Sequence, residues 1–332
     1  MVILALMRLI GTLADGATGE VRVRSHEERA LAELWCARNG NSVVRVDVDD
    51  AGRGVLVVRR GHPPDPREDL GADRMPGARL WLYTNFHCNL ACDYCCAGSS
   101  PQTPRRELGA DRIARLVAES ADWGVREIFL TGGEPFLLPD IATIVATCTT
   151  ALPTTVLTNG MVFKGRGLAA LKSMPRNSFT LQISLDSATP DIHDSHRGAG
   201  SWTKAVAGIR LALSLGFRVR VAATIAAPVP GALTELHEFL DGLGIARADQ
   251  VIRPVARQGA AAKGVILTRE SLVPEITVTA EGIYWHPVAA TDEHALVTRR
   301  IEPLTPALQE ISRLFAEQWA NATSAAALFP CA

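Results

Sequence analysis

The stretch CNLACDYCC, residues 88–96, puts four of the chain's seven cysteines into nine positions, directly after the apolar run WLYTNF at 81–86. Cys88, Cys92 and Cys95 follow a C-x3-C-x2-C spacing. Three thiolates on one loop can point at a common centre, and three is one short of closing a tetrahedral zinc site or an iron–sulfur cube. A fourth ligand must come from elsewhere, or the site stays open. Cys96 is a poor fourth ligand because its side chain diverges from that of Cys95, and packing beside the site outweighs a reactive thiol as its reading.

Working outward from the cysteines, apolar strand-like runs fall near 80–86, 127–131, 154–158, 179–185, 218–225 and 249–255, with helix-period segments between them. Ile113, Leu116 and Val117 mark one helix; Ile141, Ile144, Val145 and Cys148 a second; Val206, Ile209 and Leu213, stopped by Gly216, a third; Leu233, Leu236 and Leu240 a fourth. Strands alternating with helices predict a parallel sheet, since parallel neighbours need long crossovers. The fold class expected is α/β: a partial (βα)6 parallel barrel with a small N-terminal α+β domain and a short C-terminal extension. The reactive face of such a sheet lies at the C-terminal ends of its strands, where the cysteines fall.

The domain limits read as 1–60 for the N-terminal unit, 61–78 for a linker, 79–260 for the barrel and 261–332 for the extension. The linker GHPPDPREDLGADRMPGA is rich in Pro, Gly and Asp and has no hydrophobic period. The N-terminal unit holds a strand at 20–24, a helix at 27–40 and strands near 42–48 and 54–60. In the extension, EITVTA and GIYWHP read as short strands and 305–319 as a helix, together covering one end of the barrel as a lid.

With 34 basic and 35 acidic residues among 332, the net charge of -1 gives no global field toward nucleic acid or an acidic membrane. The apolar start MVILALMRLIGTLADG is short and broken by Arg8, so it reads as a core helix rather than a leader. No run reaches the ~18–20 apolar residues needed to span a bilayer. The expected compartment is cytoplasmic, where clustered cysteines more often bind metal or do redox work than form disulfides.

With TGGEP at 131–135, LTNG at 157–160 and ISLDS at 183–187 in strand contexts, the cysteine stretch resembles the radical S-adenosylmethionine (radical SAM) enzymes over roughly residues 80–260. The resemblance implies a 4Fe-4S cluster on Cys88, Cys92 and Cys95, with one iron left open for the amino and carboxylate groups of S-adenosyl-L-methionine. It implies reductive cleavage of that cofactor to a 5'-deoxyadenosyl radical, which abstracts hydrogen from a substrate. Gly132 and Gly133 would allow close backbone approach, and Glu134 or neighbouring carbonyls beside Pro135 would accept from the methionine ammonium. Ser184 and Asp186 match positions that contact the ribose or the methionine carboxylate, and Tyr94 the position beside adenine. Arg197 would pair with a carboxylate. An electron donor such as flavodoxin or ferredoxin is implied, as is a small-molecule or peptide substrate.

Weaker signals are weighed against ordinary packing. A structural zinc site is disfavoured because no second Cys or His pair follows at ligand spacing. Cys36 and Cys148 read as buried small hydrophobes, and Cys331 carries no reading. Thr158, Asn159 and Gly160 make a turn. His193 and His196 fall in an expected loop and read as surface or substrate-side contacts rather than metal ligands. Arg253 and Arg257, around the sixth strand, are candidates for a substrate carboxylate or phosphate, with a surface ion pair as the equal alternative. His286 stands where peptide-modifying relatives carry an auxiliary-cluster cysteine, so no auxiliary cluster is expected.

The N-terminal unit resembles the small TusA-type sulfur carriers in its order of helix, strand, helix ending in WC, and strand pair. Their Cys-Pro pair precedes the first helix, and the chain begins at Met1 where that helix starts. Either the unit has lost its thiol or the natural start lies upstream. Sulfur-related metabolism is thus the leading expectation for the pathway. The rivals are oxidation, dehydration or rearrangement of a sugar or cofactor precursor, peptide modification, and a non-catalytic iron–sulfur or zinc sensor or scaffold.

Overall fold

The computed structural model describes residues 2–14, 16–61, 75–226 and 231–328. Most of the 61–78 linker, and Cys331, lie outside the described residues. The chain divides into two compact units, residues 1–72 with 316–332, and residues 73–315.

The first unit contains α1 (Val2–Thr12), β1 (Thr18–Arg24), α2 (His26–Arg38), β2 (Ser42–Val48) and β3 (Arg53–Arg59). Its antiparallel sheet has the order β1-β3-β2. The apolar N-terminus is the expected core helix: Val2 and Leu6 of α1 are buried with Val21, Val23, Leu56 and Val58. Ser25 starts α2 by accepting from the Glu28 N–H at 3.2 Å, which satisfies one of the donors a helix start leaves open. Cys36 is buried in this core.

The second unit is α/β. Its nine-stranded sheet runs β12-β11-β10-β4-β5-β6-β7-β8-β9. The six strands β4 (Arg79–Asn85), β5 (Glu127–Gly132), β6 (Thr154–Thr158), β7 (Phe179–Ser184), β8 (Arg218–Ile225) and β9 (Gln250–Pro254) pair in parallel, each with the next. The crossovers carry α3 (Ala110–Trp123), α4 (Ile141–Ala151), α5 (Gly165–Ser173), α6 (Pro190–Arg197), α7 (Ser201–Ser214) and α8 (Ala232–Gly242). In α3 the residues Ile113, Leu116, Val117 and Ser120 bury one stripe, and Gly124, at φ 101°, ends the helix in the left-handed conformation that glycine reaches without a steric cost.

The C-terminal extension departs from the lid reading. Its β10 (Ile276–Thr279) pairs in parallel with β4, and β11 (Gly282–Tyr284) and β12 (Leu296–Thr298) follow antiparallel, so the segment continues the sheet past its first strand. The driving force is burial: all residues of β10 and β11 are buried, and Trp285 is fully so. The last helix, α9 (Thr305–Leu328), starts on α3, where the Glu119 carboxylate accepts from the Leu304 and Thr305 N–H groups at 2.7 Å each. Among the described residues, no helix is long and apolar enough to cross a membrane.

Candidate functional site

A cavity of about 780 Å³ lies on one face of the parallel strands. Alternate residues of the strands line it, Trp81 and Tyr83 from β4, Phe129 and Thr131 from β5, Gln182 and Ser184 from β7, Arg220 and Thr224 from β8, because side chains of a strand alternate between faces. Cys88, Cys92, Cys95 and Cys96 all line it.

Three neighbours hold the cysteine loop. The first is the GGEP turn at the end of β5. Gly133 N–H donates to Asn85 O at 2.9 Å and Glu134 N–H to His87 O at 3.0 Å, while the Asn85 side-chain amide donates to Glu134 O at 3.0 Å. A Cβ on Gly132 would stand 2.1 Å from Asn85 O, and one on Gly133 2.0 Å from His87 O, so only glycine lets these two backbone segments close. The second neighbour is α6: Asp93 N–H donates to His196 O at 3.2 Å, and the Asp93 carboxylate pairs with His196 Nδ1 at 2.9 Å. The third is the turn after β9, where Ala260 N–H donates to Cys95 O at 2.9 Å. Gly259, at φ 60°, leaves no room there, since a Cβ would be 2.4 Å from the carbonyl oxygens of both Cys95 and Cys96.

Glu134 and Asp186 anchor rather than line the cavity. Glu134 has no exposed surface, and its carboxylate accepts from Phe136 N–H (3.0 Å), Thr158 Oγ1 (2.7 Å) and Asn159 N–H (2.8 Å). Burial pushes its pKa up to about 7 against the pull of these donors. Pro135 follows it into a buried turn. Asp186, 2% exposed, accepts from Arg197 Nε at 2.6 Å, Arg197 Nη2 at 3.2 Å, Thr224 N–H at 3.0 Å and the Tyr94 hydroxyl. Burial raises its carboxyl, and the Arg197 guanidinium with these donors more than offsets that, holding it below the usual range. Arg197 in turn stands over the Tyr94 ring at 5.5 Å. The network ties the cysteine loop, α6 and the ends of β7 and β8 together.

Of the other residues singled out from the sequence, Tyr94, Gly132, Gly133, Ser184, Arg197 and Arg253 line the cavity; Glu134, Pro135, Asp186 and Arg257 do not. The expected loop holding His193 and His196 is the helix α6, started by Pro190. His193 is buried, and its Nδ1 accepts from Asp186 N–H at 3.1 Å; burial lowers its pKa to about 4. Cys148 is buried in α4 away from the cavity. Sequence reasoning passed over Gln182 and Arg220, and took Asn159 for a turn residue. Asn159 lines the cavity and donates to Asn89 Oδ1 at 2.8 Å within the cysteine loop. Polar residues at alternate positions of β7 and β8 were the available signal.

Burial raises the Cys88 thiol to about 12 and the Cys92 thiol to about 11. Among the described residues, no three His, Cys, Asp or Glu side chains are already gathered as a metal site. Neutral thiols have nothing to draw them together, whereas thiolates gather on the cation they bind. The donor set fits an iron–sulfur cluster: three soft ligands on one anchored loop, facing a common cavity beside the bare backbone of Gly132 and Gly133.

The sequence model of the radical SAM superfamily matches residues 82–234. The chain is 39% identical over 140 residues to molybdenum cofactor biosynthesis protein 1 of Drosophila melanogaster, covering 40% of this chain and 24% of that protein. It is 29% identical over 159 residues to the AdoMet-dependent heme synthase of Methanosarcina barkeri, covering 47% and 45%. Less than half the length of either relative is therefore matched. Among solved structures, native anSMEcpe with bound AdoMet is similar with a TM-score of 0.56 at 12% identity, covering 71% of this chain and 82% of that one, a likeness of fold. Residues 82–234 are thus a radical SAM superfamily domain.

Proposed function

We propose that the protein is a radical SAM enzyme whose six parallel strands form a partial (βα)6 barrel around the reaction cavity. The observation that carries the reading is the convergence of Cys88, Cys92, Cys95, Gly132, Gly133 and Ser184 on one cavity at the strand ends. Cys88, Cys92 and Cys95 would hold a 4Fe-4S cluster, and the backbone of Gly132 and Gly133 with Ser184 and Tyr94 would border S-adenosylmethionine. When bound, cluster and S-adenosylmethionine supply a 5'-deoxyadenosyl radical for hydrogen abstraction.

The chain's own residues position and shelter. The GGEP backbone fixes the segment leading into Cys88, and Glu134 locks that turn to β6 through Thr158 and Asn159. Asp186 acts through others: it orients Tyr94 and Arg197, both of which line the cavity, so its role is positioning rather than contact. Arg197, the cation nearest this network, would face a carboxylate of the cofactor or substrate. A low-potential flavodoxin or ferredoxin would supply the electron.

Small-molecule and peptide substrates both fit the resemblance: the relatives include a heme synthase, and anSMEcpe was also solved with a Cp18Cys peptide. The TusA-like reading of the N-terminal unit rests on its element order alone, and with it the link to sulfur-related metabolism. The test is anaerobic reconstitution with iron and sulfide, addition of dithionite and S-adenosylmethionine, and quantification of 5'-deoxyadenosine beside Cys92→Ala. Formation in the intact protein alone supports the reading; none, with about four irons bound per chain, favours a non-catalytic iron–sulfur protein.

A further inference from the structure

The cavity holds polar groups that neither cluster binding nor loop anchoring uses. Gln182 of β7 and Arg220 of β8 stand in register on neighbouring strands, with Leu157 of β6 completing the row. All three line the cavity. Gln182 is 5% exposed, and its side-chain amide has no hydrogen-bond partner among the described residues. The amide atoms are not among the fully buried unpartnered ones, so they face the cavity, where a bound acceptor can take the place of water.

Arg220 also has donor capacity left over. Its Nε is buried and makes no hydrogen bond. Asp249 Oδ1 lies 3.6 Å away, too far for one, and Asp249 is engaged more closely by Arg218 at 2.8 Å. Arg253 lines the cavity from β9, opposite Thr224 in register, and among the described residues it has no carboxylate partner.

The charges of the lining do not balance. Among the described residues, Arg79, Arg197, Arg220 and Arg253 are its cations and Glu275 its one carboxylate. Glu275 is taken by Arg79 at 3.4 Å and by the Trp81 indole N–H. Arg197 is taken by Asp186 from behind the wall. Arg220, which Asp249 holds only at 3.6 Å, and Arg253, whose Nε donates to Thr224 Oγ1 at 3.5 Å, are the least engaged, with the Gln182 amide beside the first. Adjacent strands stand about 4.8 Å apart, so a guanidinium and an amide in register present a row of N–H donors to one group of oxygens. The stacked Trp81 and Phe129 rings, with centroids 4.2 Å apart, give the cavity a flat apolar wall.

We propose that Gln182, Arg220 and Arg253 form a subsite for an anionic group of the substrate, a carboxylate or a phosphate. The inference rests on the radical SAM reading of the cavity and adds to it the chemical class of substrate. Guanidinium and amide N–H groups both donate, so the subsite selects an acceptor-rich group and rejects a cation. Arg253, nearer the strand ends that carry the cysteines, meets the anion from the cysteine side, and Arg220 with Gln182 from the deeper side.

The test is a calorimetric titration of the full chain, anaerobically reconstituted and saturated with S-adenosylmethionine, with inorganic phosphate and with malonate at matched ionic strength, chloride serving as the reference. Saturable binding is expected for at least one of the two, and the preferred anion identifies the group. Arg220→Gln should weaken it about 10- to 100-fold, as loss of a charged hydrogen-bond donor does; Arg220→Lys should fall between; Gln182→Leu should weaken it by a smaller factor. Should Arg220→Gln not fold, the Lys and Leu variants decide. No binding above chloride overturns the proposal, and so does unchanged affinity in the variants. Binding of S-adenosylmethionine is read separately from the cluster's spectrum, so a failure of the cofactor reading shows there and not in the anion titration, which can then be run on the apo-protein.

Discussion

Replacing Gly133 by alanine tests whether the GGEP turn holds the cysteine loop. The new Cβ would lie 2.0 Å from His87 O, 2.5 Å from His87 C and 2.8 Å from Phe86 O, all backbone atoms that cannot rotate away. Reaching even 3.0 Å, the shortest separation real Cβ atoms show, opens the two segments by about 1 Å. That stretches the bonds from Gly133 N–H to Asn85 O and from Glu134 N–H to His87 O beyond hydrogen-bond range. Two such bonds are worth about 1 kcal/mol each and the forced shift costs about 1–3 kcal/mol, so the expected loss is about 3–5 kcal/mol. Because Cys88 follows His87 directly, the shift also misplaces the first ligand. Denaturant unfolding of the apo-protein and iron content after reconstitution read the two effects. Gly11→Ala in α1, where nothing lies within 4 Å of the added Cβ, is the control and should gain about 0.5–1 kcal/mol. Stability within about 1 kcal/mol of wild type, together with full iron content, in Gly133→Ala would refute the anchoring argument.

Other outcomes follow from the same geometry. Glu134, raised from 4.5 to about 7 by burial, contributes stability that is full below 4.5 and lost as pH rises through 7; the difference amounts to about 3 kcal/mol, and unfolding measured from pH 4.5 to 8 should show that decline in wild type and not in Glu134→Gln. Arg197→Met leaves Asp186 buried without its cation and should cost about 3–5 kcal/mol, whereas the double variant Asp186→Asn, Arg197→Met should recover part of it in the same unfolding assay. Cys148→Ala should lower stability by about 1 kcal/mol and leave the iron content of reconstituted protein unchanged, since this thiol only packs in α4.

The sheet was legible because its strands are short apolar runs separated by helix-period segments, and all six parallel strands lie within one residue of their expected bounds at each end. The cysteine loop was legible from spacing alone. Less visible was what each polar side chain faces. Glu134 belongs to a conspicuous motif, yet its carboxylate turns inward to Thr158 and Asn159, a choice set by the partners that β6 brings near. Gln182 and Arg220 occupy ordinary alternating positions, and only the enclosure of that face of the sheet makes them cavity residues. The extension's strands were found, but their attachment to β4 joins residues nearly two hundred positions apart, which no local pattern encodes. His193 was assigned to a loop because α6 has only eight residues, too few for a periodic signal.

On the proposed reading, three cysteines hold a cluster with one open iron that S-adenosylmethionine occupies. Electron paramagnetic resonance of the dithionite-reduced, reconstituted protein, recorded with and without S-adenosylmethionine, tests it most directly. A 4Fe-4S signal whose g-values shift when S-adenosylmethionine is added is expected, with loss of that signal in Cys88→Ala, Cys92→Ala and Cys95→Ala but not in Cys96→Ala. A signal unmoved by S-adenosylmethionine, or one that survives loss of any of the three cysteines, would contradict it.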